Sequence, residues 1–191
     1  MVHVDDRALM ARSGAGDRGA YAELFARHAD RIWHSAYYLL HDRWAADDVL
    51  QETFTRGLSE IDSYRGEAEP ATWLGMIALN LCRSQLRDSK RRAKSAEAPA
   101  LEKGRKPGRR PRGVLTSVLR RETERQLVIA LGYLTEAQRE VFVLHYVEEM
   151  PFKEIAEALK TTVSAALALA HRARQEILSR VPALAPQLPE R

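Results

Sequence analysis

Two stretches with helical spacing, residues 45–61 and 71–87, most constrain the fold of this chain. In the first stretch, apolar and small residues recur at steps of three and four, which places these residues on one side of a helix: Ala46, Val49, Leu50, Thr53, Phe54, Gly57, Leu58 and Ile61. The same spacing in the second stretch selects Trp73, Leu74, Ile77, Ala78 and Leu81. The opposite side is acidic in the first stretch and basic in the second. The sequence therefore predicts two neighbouring amphipathic helices with different partners, joined by a short polar loop.

Helical spacing recurs along most of the chain. It predicts further helices over residues 5–12, 19–40, 117–131 and 163–180, with shorter helices beginning at Thr135 and Pro151. Asp42 and Thr162 are the predicted N-caps of the helices that follow them, and Thr135 with Gln138 has the spacing of a capping box. The last two helices are joined by a three-residue turn at 160–162, which is the outline of a helix-turn-helix. No stretch alternates apolar and polar residues as a half-buried strand would. The predicted fold class is therefore all-α.

Composition divides the predicted helices into two groups. The stretch between Arg87 and Arg121 contains thirteen Lys or Arg against three acidic residues, in a chain of net charge +4, and it is broken by Pro and Gly. Such a stretch is typical of a flexible basic linker, either a solvated tether or a strand that lies along nucleic acid. The predicted divisions are a small helical domain at 1–90, the basic linker at 91–116, a second small helical domain at 117–181 and a disordered tail at 182–191.

Several classes of function find no support in the sequence. The six histidines are scattered, and neither a metal-binding spacing such as H-E-x-x-H nor a glycine-rich phosphate loop occurs. We therefore expect no enzyme activity, no metal and no cofactor. The single cysteine, Cys82, excludes an internal disulfide and fits a reducing cytosol. No apolar run has the length of a signal-peptide core or a membrane span, so we expect a cytoplasmic protein without membrane insertion.

Three segments carry a resemblance to a known family. Residues 46–56, ADDVLQETFTR, are similar to the acidic helix with which bacterial sigma factors of the extracytoplasmic-function (ECF) group, in the sigma-70 family, bind core RNA polymerase. Residues 72–87, TWLGMIALNLCRSQLR, resemble the helix of that family that helps to melt promoter DNA. Residues 134–159, LTEAQREVFVLHYVEEMPFKEIAEAL, with HRAR at 171–174, resemble its second domain. The chain thus resembles a sigma2-like helical bundle followed by a sigma4-like helix-turn-helix domain.

The resemblance implies a transcription initiation factor that binds core polymerase, directs it to specific promoters and melts the minus-10 element. It implies that the β′ clamp helices of polymerase are contacted by one helix face, which we would otherwise interpret as solvated: Asp47, Asp48, Gln51, Glu52 and Arg56. The residues that it implies for binding of minus-10 DNA are Ser63, Tyr64, Arg65, Gly66, Glu67, Asn80, Arg83 and Arg87. The residues that it implies for binding of the minus-35 region are Lys153, Ser164, Ala165, Ala168, His171, Arg172 and Arg174. Further implied partners are the β flap of polymerase, promoter DNA and an anti-sigma factor.

In the predicted minus-10 loop, Tyr64 is expected to stack on a base extruded from the DNA strand. The predicted recognition helix departs from the family pattern. Where the family usually has Gly-Thr-Val-Lys-Ser-Arg-Leu, this chain has SAALALA at 164–170, which places Leu167 and Leu169 at the basic positions. Direct reading of bases by this helix should therefore be poor. Lys160 stands where glycine is usual in the turn, which predicts a positive φ.

Two interpretations of this helix stay open. The domain could bind promoters through DNA backbone and shape, with Arg139 contributing, or the two leucines could be exposed as a surface for another protein. The second interpretation suggests a sigma-factor mimic that sequesters an anti-sigma factor and binds DNA poorly. A helix-turn-helix regulator independent of polymerase fits less well, because such a regulator needs no polymerase-binding helix.

Overall fold

The computed structural model describes residues 5–95 and 118–188. The chain divides into two compact units, Met1–Pro111 and Arg112–Arg191. Within the two described ranges every regular element is helical, which confirms the predicted all-α class.

Within residues 5–95, the first unit has four α-helices: α1 (Asp6–Gly14), α2 (Arg18–Leu40), α3 (Arg43–Ser59) and α4 (Pro70–Lys94). A short 3-10 turn, Ile61–Ser63, lies between α3 and α4. The predicted N-cap of α3 is confirmed, because the Asp42 carboxylate accepts hydrogen bonds from the backbone amides of Trp44 and Ala45. Pro70 occupies the first turn of α4, where its missing N–H is not needed.

The helix α2 lies at the centre of the first unit and packs against α1, α3 and α4. Its core side chains, among them Leu24 and Ile32, are fully buried. The three longer helices approach closely at Gly57, where an added Cβ would lie 2.9 Å from Leu74 Cδ2 and 3.0 Å from the Tyr21 hydroxyl oxygen. That hydroxyl donates a hydrogen bond to the Phe54 carbonyl. Glycine therefore allows α3 to sit against both neighbours.

The helix α4 is longer than predicted. It continues past Arg87 to Lys94, so the prediction that the linker begins at residue 91 is wrong for residues 91–94. The physical reason is that Lys and Arg are good helix formers and that cations are favourable at a helix C-terminus. The first proline or glycine after Gly75 is Pro99. Residues 96–117, which include the rest of the predicted linker, lie outside the described residues.

The second unit contains α5 (Val118–Leu131), α6 (Glu136–Phe142), α7 (Phe152–Leu159) and α8 (Val163–Arg180). A capping box between Thr135 and Gln138 opens α6 as predicted. A π-helical turn, Val143–Val147, follows α6 directly. Lys160 has a φ of 53°, which confirms the left-handed turn expected before α8. The Thr162 side chain caps α8 by accepting from the Ala165 amide.

The segment after α8 is folded. Residues Pro182–Gln187 form a 3-10 helix against α8, and Leu184 and Leu188 are each only 5% exposed. The prediction of a disordered tail is therefore wrong for residues 182–188, while residues 189–191 lie outside the described part. Proline fixes φ near the value that a 3-10 turn needs, and apolar residues three to four apart share one side of that turn. These two properties outweigh the helix-breaking effect on which the prediction rested.

Candidate functional site

The predicted polymerase-binding face of α3 includes a residue that contacts α2 as well as residues that are exposed. The Asp47 carboxylate accepts a hydrogen bond from Trp33 Nε1 at 2.6 Å, which joins α3 to α2. Asp48 is half-buried, whereas Gln51, Glu52 and Arg56 are exposed. Glu52 Oε1 lies 2.6 Å from Arg56 Nε, so these two side chains form an ion pair one helical turn apart. The exposed part of the predicted face is therefore Gln51, Glu52 and Arg56.

A groove of about 380 Å³ lies beside this face, between α3 and α4. Its lining residues are Asp48, Val49, Gln51, Glu52, Thr55, Leu81 and Gln85. Sequence reasoning missed Gln85, although its position one turn after Leu81 was a signal that α4 contributes to this side. We call Gln51, Glu52, Arg56 and this groove the α3 face.

The loop between α3 and α4 contains the predicted minus-10 residues Ser63 to Glu67. The Ser63 hydroxyl donates to the Glu60 carbonyl at 2.7 Å and closes the 3-10 turn. Gly66 has a φ of +75°, which a glycine adopts without strain. Ser63, Arg65 and Glu67 are exposed. A ligand can therefore reach these three predicted side chains.

Tyr64 differs from its predicted role. Its ring is half-buried and lies 5.5 Å from the Trp73 ring centroid, and its hydroxyl donates to the Ala68 carbonyl at 2.6 Å. Burial raises the pKa of Tyr64, as expected for a phenol held inside the fold. The prediction that this ring stacks on an extruded base therefore does not fit its position, because the ring already packs within the loop.

A polar stripe runs along α4. Asn80 and Arg87 are exposed and Arg83 is half-buried, and the exposed side continues through Ser84, Arg91 and Lys94. Asn80, Ser84, Arg87, Arg91 and Lys94 follow one another at steps of four and three, so they share one side of the helix over roughly 21 Å. We call these five residues the α4 stripe. Sequence reasoning missed its last two members because it ended the helix at Arg87.

The outer side of α8 carries small and weakly basic residues. Ser164, Ala168, His171 and Arg172 are exposed and Ala165 is half-buried, while Lys153 is exposed on α7. The positions assigned to the minus-35 region are thus accessible, with the exception described next.

Two arginines suggested as DNA contacts serve the fold instead. Arg174 is half-buried, and its Nε donates to the Leu188 carbonyl at 2.7 Å, which holds the C-terminal 3-10 helix against α8. Arg139 donates to the Leu131 and Leu134 carbonyls at the end of α5. Burial lowers the pKa of Arg139. Their contacts with carbonyl groups direct both guanidinium groups into the second unit.

Of the two leucines expected to be exposed on α8, only one is. Leu167 is 43% exposed, whereas Leu169 is half-buried. Leu167 borders a groove of about 410 Å³ whose other lining residues are Tyr146, Phe152, Ala168, Ala170, His171 and Arg174. Leu167 therefore contributes apolar surface to a groove beside α8 and not to the centre of the outer side of this helix.

Comparison with known proteins agrees with this division into two units. Residues 24–92 match the model of sigma-70 region 2, and residues 124–177 match that of sigma-70 region 4. The sigma factor CarQ of Myxococcus xanthus is 33% identical over 88% of this chain and 92% of its own length. The chain belongs to the extracytoplasmic-function group of bacterial RNA polymerase sigma factors. The ECF sigma factor SigW of Bacillus subtilis is also similar, with 29% identity over 85% of this chain and 89% of its own.

Two solved structures of sigma factors share the fold. CnrH, in complex with the cytosolic domain of CnrY, has a TM-score of 0.66 and 25% identity, and the match covers 94% of this chain and 99% of that one. RpoE from Bartonella quintana, in complex with the anti-sigma factor NepR, has a TM-score of 0.66 and 18% identity, with 85% and 96% covered. The α3 face, the loop and most of the α4 stripe of this sigma factor lie inside the region 2 match. The helix α1 and the C-terminal 3-10 helix lie outside both matches.

Among the helices of residues 5–95 and 118–188, none is both long and apolar enough to span a bilayer. In the same ranges, no group of three or more His, Cys, Asp or Glu is placed to hold a metal ion.

Proposed function

We propose that this sigma factor binds core RNA polymerase through the α3 face. The observation that carries the proposal is that exposed Gln51, Glu52 and Arg56 and their adjoining groove fall within the region 2 match. A helical partner such as the β′ clamp could place side chains in the groove and pair its cations with Glu52. Asp47 supports this surface indirectly, because its bond to Trp33 fixes α3 on α2.

The experiment that tests this surface is a binding titration of the full chain with core polymerase in the absence of DNA. The variant Glu52→Lys should weaken binding by at least about tenfold, because it places a like charge against a cationic partner. Glu60→Lys is the matched control, since Glu60 is an exposed acid just beyond the end of α3, and it should bind like the parent chain. Equal binding by both variants and the parent would contradict the proposal.

We further propose that the first unit recognises and melts the minus-10 element. Extruding a base costs a few kcal/mol, which the protein must offset by contacts to the base and to the strand. Because Tyr64 packs inside the loop, contact with the base is better made by hydrogen bonds than by ring stacking, with Arg65 as a donor and the Glu67 carboxylate as an acceptor. The α4 stripe would bind the phosphates that follow.

Initiation by the reconstituted holoenzyme tests the minus-10 proposal, with promoters first selected from a random-sequence library. The double variant Arg65→Ala/Glu67→Ala should still bind core polymerase but should initiate at least about tenfold less from the selected promoters. The single variant Arg18→Ala changes an exposed cation elsewhere in the unit and serves as the control. Full initiation by the double variant would remove the loop from the proposal.

The second unit would then bind the minus-35 region mainly through phosphates, using Lys153, His171 and Arg172. Small residues at Ser164 and Ala168 can approach the duplex closely but offer few donors to base edges. Contact with the β flap of polymerase belongs to the same proposal. We infer that this unit contributes position more than sequence selectivity.

A second function, a mimic that sequesters an anti-sigma factor, is favoured by one observation. Leu167 and the groove beside it expose apolar surface on the unit that would otherwise face DNA. The similar protein CnrH was solved in complex with the cytosolic domain of CnrY. The binding and initiation experiments separate the two functions, because a mimic would bind core polymerase weakly or would bind it without initiating.

A further inference from the structure

The first unit contains a helix that the region 2 match does not include. The helix α1 (Asp6–Gly14) precedes residue 24, where that match begins. It nevertheless contacts the 3-10 turn at one end of the loop and α4 at the other. We infer that α1 is a positioning element that holds the loop 61–69 in its exposed, ligand-ready conformation.

The first observation is a buried apolar cluster against which the loop packs. Leu9 and Met10 of α1 are 0% and 2% exposed. They form a buried cluster with Ala20 and Leu24 of α2, and three partly buried residues at or next to the loop pack against this cluster: Ile61, Tyr64 and Trp73. The Tyr64 ring thus packs against the cluster, and its hydroxyl donates a hydrogen bond to the Ala68 carbonyl within the loop.

The second observation is an ion pair at the far end of the loop. Arg7 donates from Nε and Nη2 to Glu69 Oε1, at 3.1 and 2.7 Å. Glu69 is the N-cap residue of α4, and its carbonyl accepts the Trp73 amide at 2.9 Å. One short helix therefore contacts Ile61 where the loop begins and Glu69 where it ends.

The third observation is that α1 is itself anchored. Its Asp6 carboxylate contacts Arg27 Nη1 at 2.7 Å and His28 Nε2 at 2.6 Å, both on α2. The path from α2 through α1 to the loop is thus made of direct contacts at each step. Such a path can transmit the rigidity of the helical core to an exposed loop.

The functional consequence of this arrangement rests on the proposed minus-10 role. Ordering a loop on binding costs conformational entropy for each residue that is fixed. A loop already held at both ends avoids much of that cost, so more of the contact energy remains to stabilise an extruded base. The expected role of α1 is therefore selectivity for the correct strand and not contact with DNA.

The test uses the full chain with Arg7→Gln and a matched control, Arg12→Gln. Both arginines lie on α1, both are about half exposed, and both form an ion pair, but Arg12 pairs with Asp17 at the α1–α2 turn and not with the loop. Each variant removes one positive charge, so any non-specific electrostatic effect on DNA binding should be shared.

The first measurement is amide hydrogen exchange over residues 61–69, which requires no DNA. Arg7→Gln should speed exchange there by roughly two- to fivefold, the range expected for an exposed ion pair, while Arg12→Gln should not. Glu69→Gln should match Arg7→Gln, and the double variant should be no faster than either single one, because the contact is already lost. Unchanged exchange in all variants would overturn the inference.

The second measurement is the ratio of affinities for two single-stranded probes, a 12-mer selected by this chain from a random library and oligo-dT of the same length. Arg7→Gln should lower that ratio roughly two- to fivefold and Arg12→Gln should leave it unchanged. Equal ratios for both variants would overturn the link between α1 and selectivity. If the parent chain itself preferred no sequence over oligo-dT, the proposed minus-10 role would fail, whereas the exchange result would still decide whether α1 holds the loop.

Discussion

The two helices proposed to face DNA, α4 and α8, differ in the charge and size of the side chains that they expose. The α4 stripe carries Arg87, Arg91 and Lys94, all exposed, along one side of its helix. The corresponding side of α8 is built around Ser164 and Ala168, with Arg172 near its edge. The difference teaches that charge and sequence reading need not be divided equally between the units of a sigma factor. If both helices face DNA as proposed, we expect the first unit to supply most of the electrostatic binding, whereas the small side chains of the second would admit the duplex but read it poorly.

The largest expected effect comes from neutralising the α4 stripe. Arg87→Gln/Arg91→Gln/Lys94→Gln should weaken binding to a 30-base-pair duplex roughly 10- to 100-fold at 0.1 M salt and reduce the slope of log affinity against log salt by up to about three. The reason is that each phosphate contact releases about one counterion. Affinities measured between 0.05 and 0.3 M salt check both numbers.

Two comparisons sharpen that result. Arg92→Gln removes an exposed charge that the helical spacing places off the stripe, so this variant should bind almost like the parent. Lys153→Gln/Arg172→Gln in the second unit should lower the slope by about two at most, because only two cations are removed. If the second-unit variant lost more affinity than the stripe variant, the assignment of electrostatic binding to the first unit would be wrong.

The next effect is a gain of binding at α8. Ala168→Arg places a forked donor at the centre of the outer side, where a bidentate contact to guanine is worth about 1–3 kcal/mol. Duplexes reselected for the variant should therefore bind about tenfold more tightly than the parent's best duplex and should be enriched in guanine. Ala137→Arg adds the same charge at an exposed position on α6.

The gain must be specific to α8 for the comparison to hold. Ala137→Arg should raise affinity for all duplexes slightly and equally. If Ala168→Arg and Ala137→Arg gained the same duplex affinity and neither selected guanine-rich duplexes, binding by the second unit would be limited by its charge alone and not by the small residues of α8.

Much of this fold could be predicted because it follows from local rules. Helical spacing identified the buried sides of α3 and α4, and cap chemistry at Asp42, Thr135 and Thr162 located three helix starts within a residue or two. The turn at Lys160 was predicted from its place between two helices. Each of these features depends on residues within about one turn of each other.

The site could be predicted only in part, because spacing does not reveal which polar residues the fold itself uses. Asp47 lies on the expected side of α3, but its partner Trp33 is in another helix. Tyr64 lies in the expected loop, but the cluster that holds it begins in α1. Arg174 is bound by a carbonyl fourteen residues later, in a segment whose prolines argued against any structure. In each case a contact distant in sequence decides whether a polar side chain is available to a ligand.

A smaller effect separates the two arginines at the end of α8. Arg174→Gln should cost the second unit about 1 kcal/mol of stability through loss of the bond to Leu188, and it should change duplex affinity less than twofold. Arg172→Gln should leave stability unchanged and weaken duplex binding by about fivefold. Thermal unfolding followed by circular dichroism and the same duplex titration check the pair. The opposite pattern would return Arg174 to the DNA-binding surface.

The smallest effect uses pH to distinguish the units. Burial lowers the pKa of His28 below its ordinary 6.5, although the Asp6 carboxylate acts in the opposite direction. The folded first unit therefore binds fewer protons than its unfolded chain between pH 6.5 and the lowered pKa, so its stability should fall as pH decreases through that window and be complete above it. All three tryptophans belong to the first unit, so urea unfolding followed by tryptophan fluorescence reports that unit. His28→Gln should flatten the loss between pH 7 and 5, whereas His171→Gln in the second unit should not. An unchanged pH dependence in both variants would show that burial of His28 does not govern the acid sensitivity of the first unit.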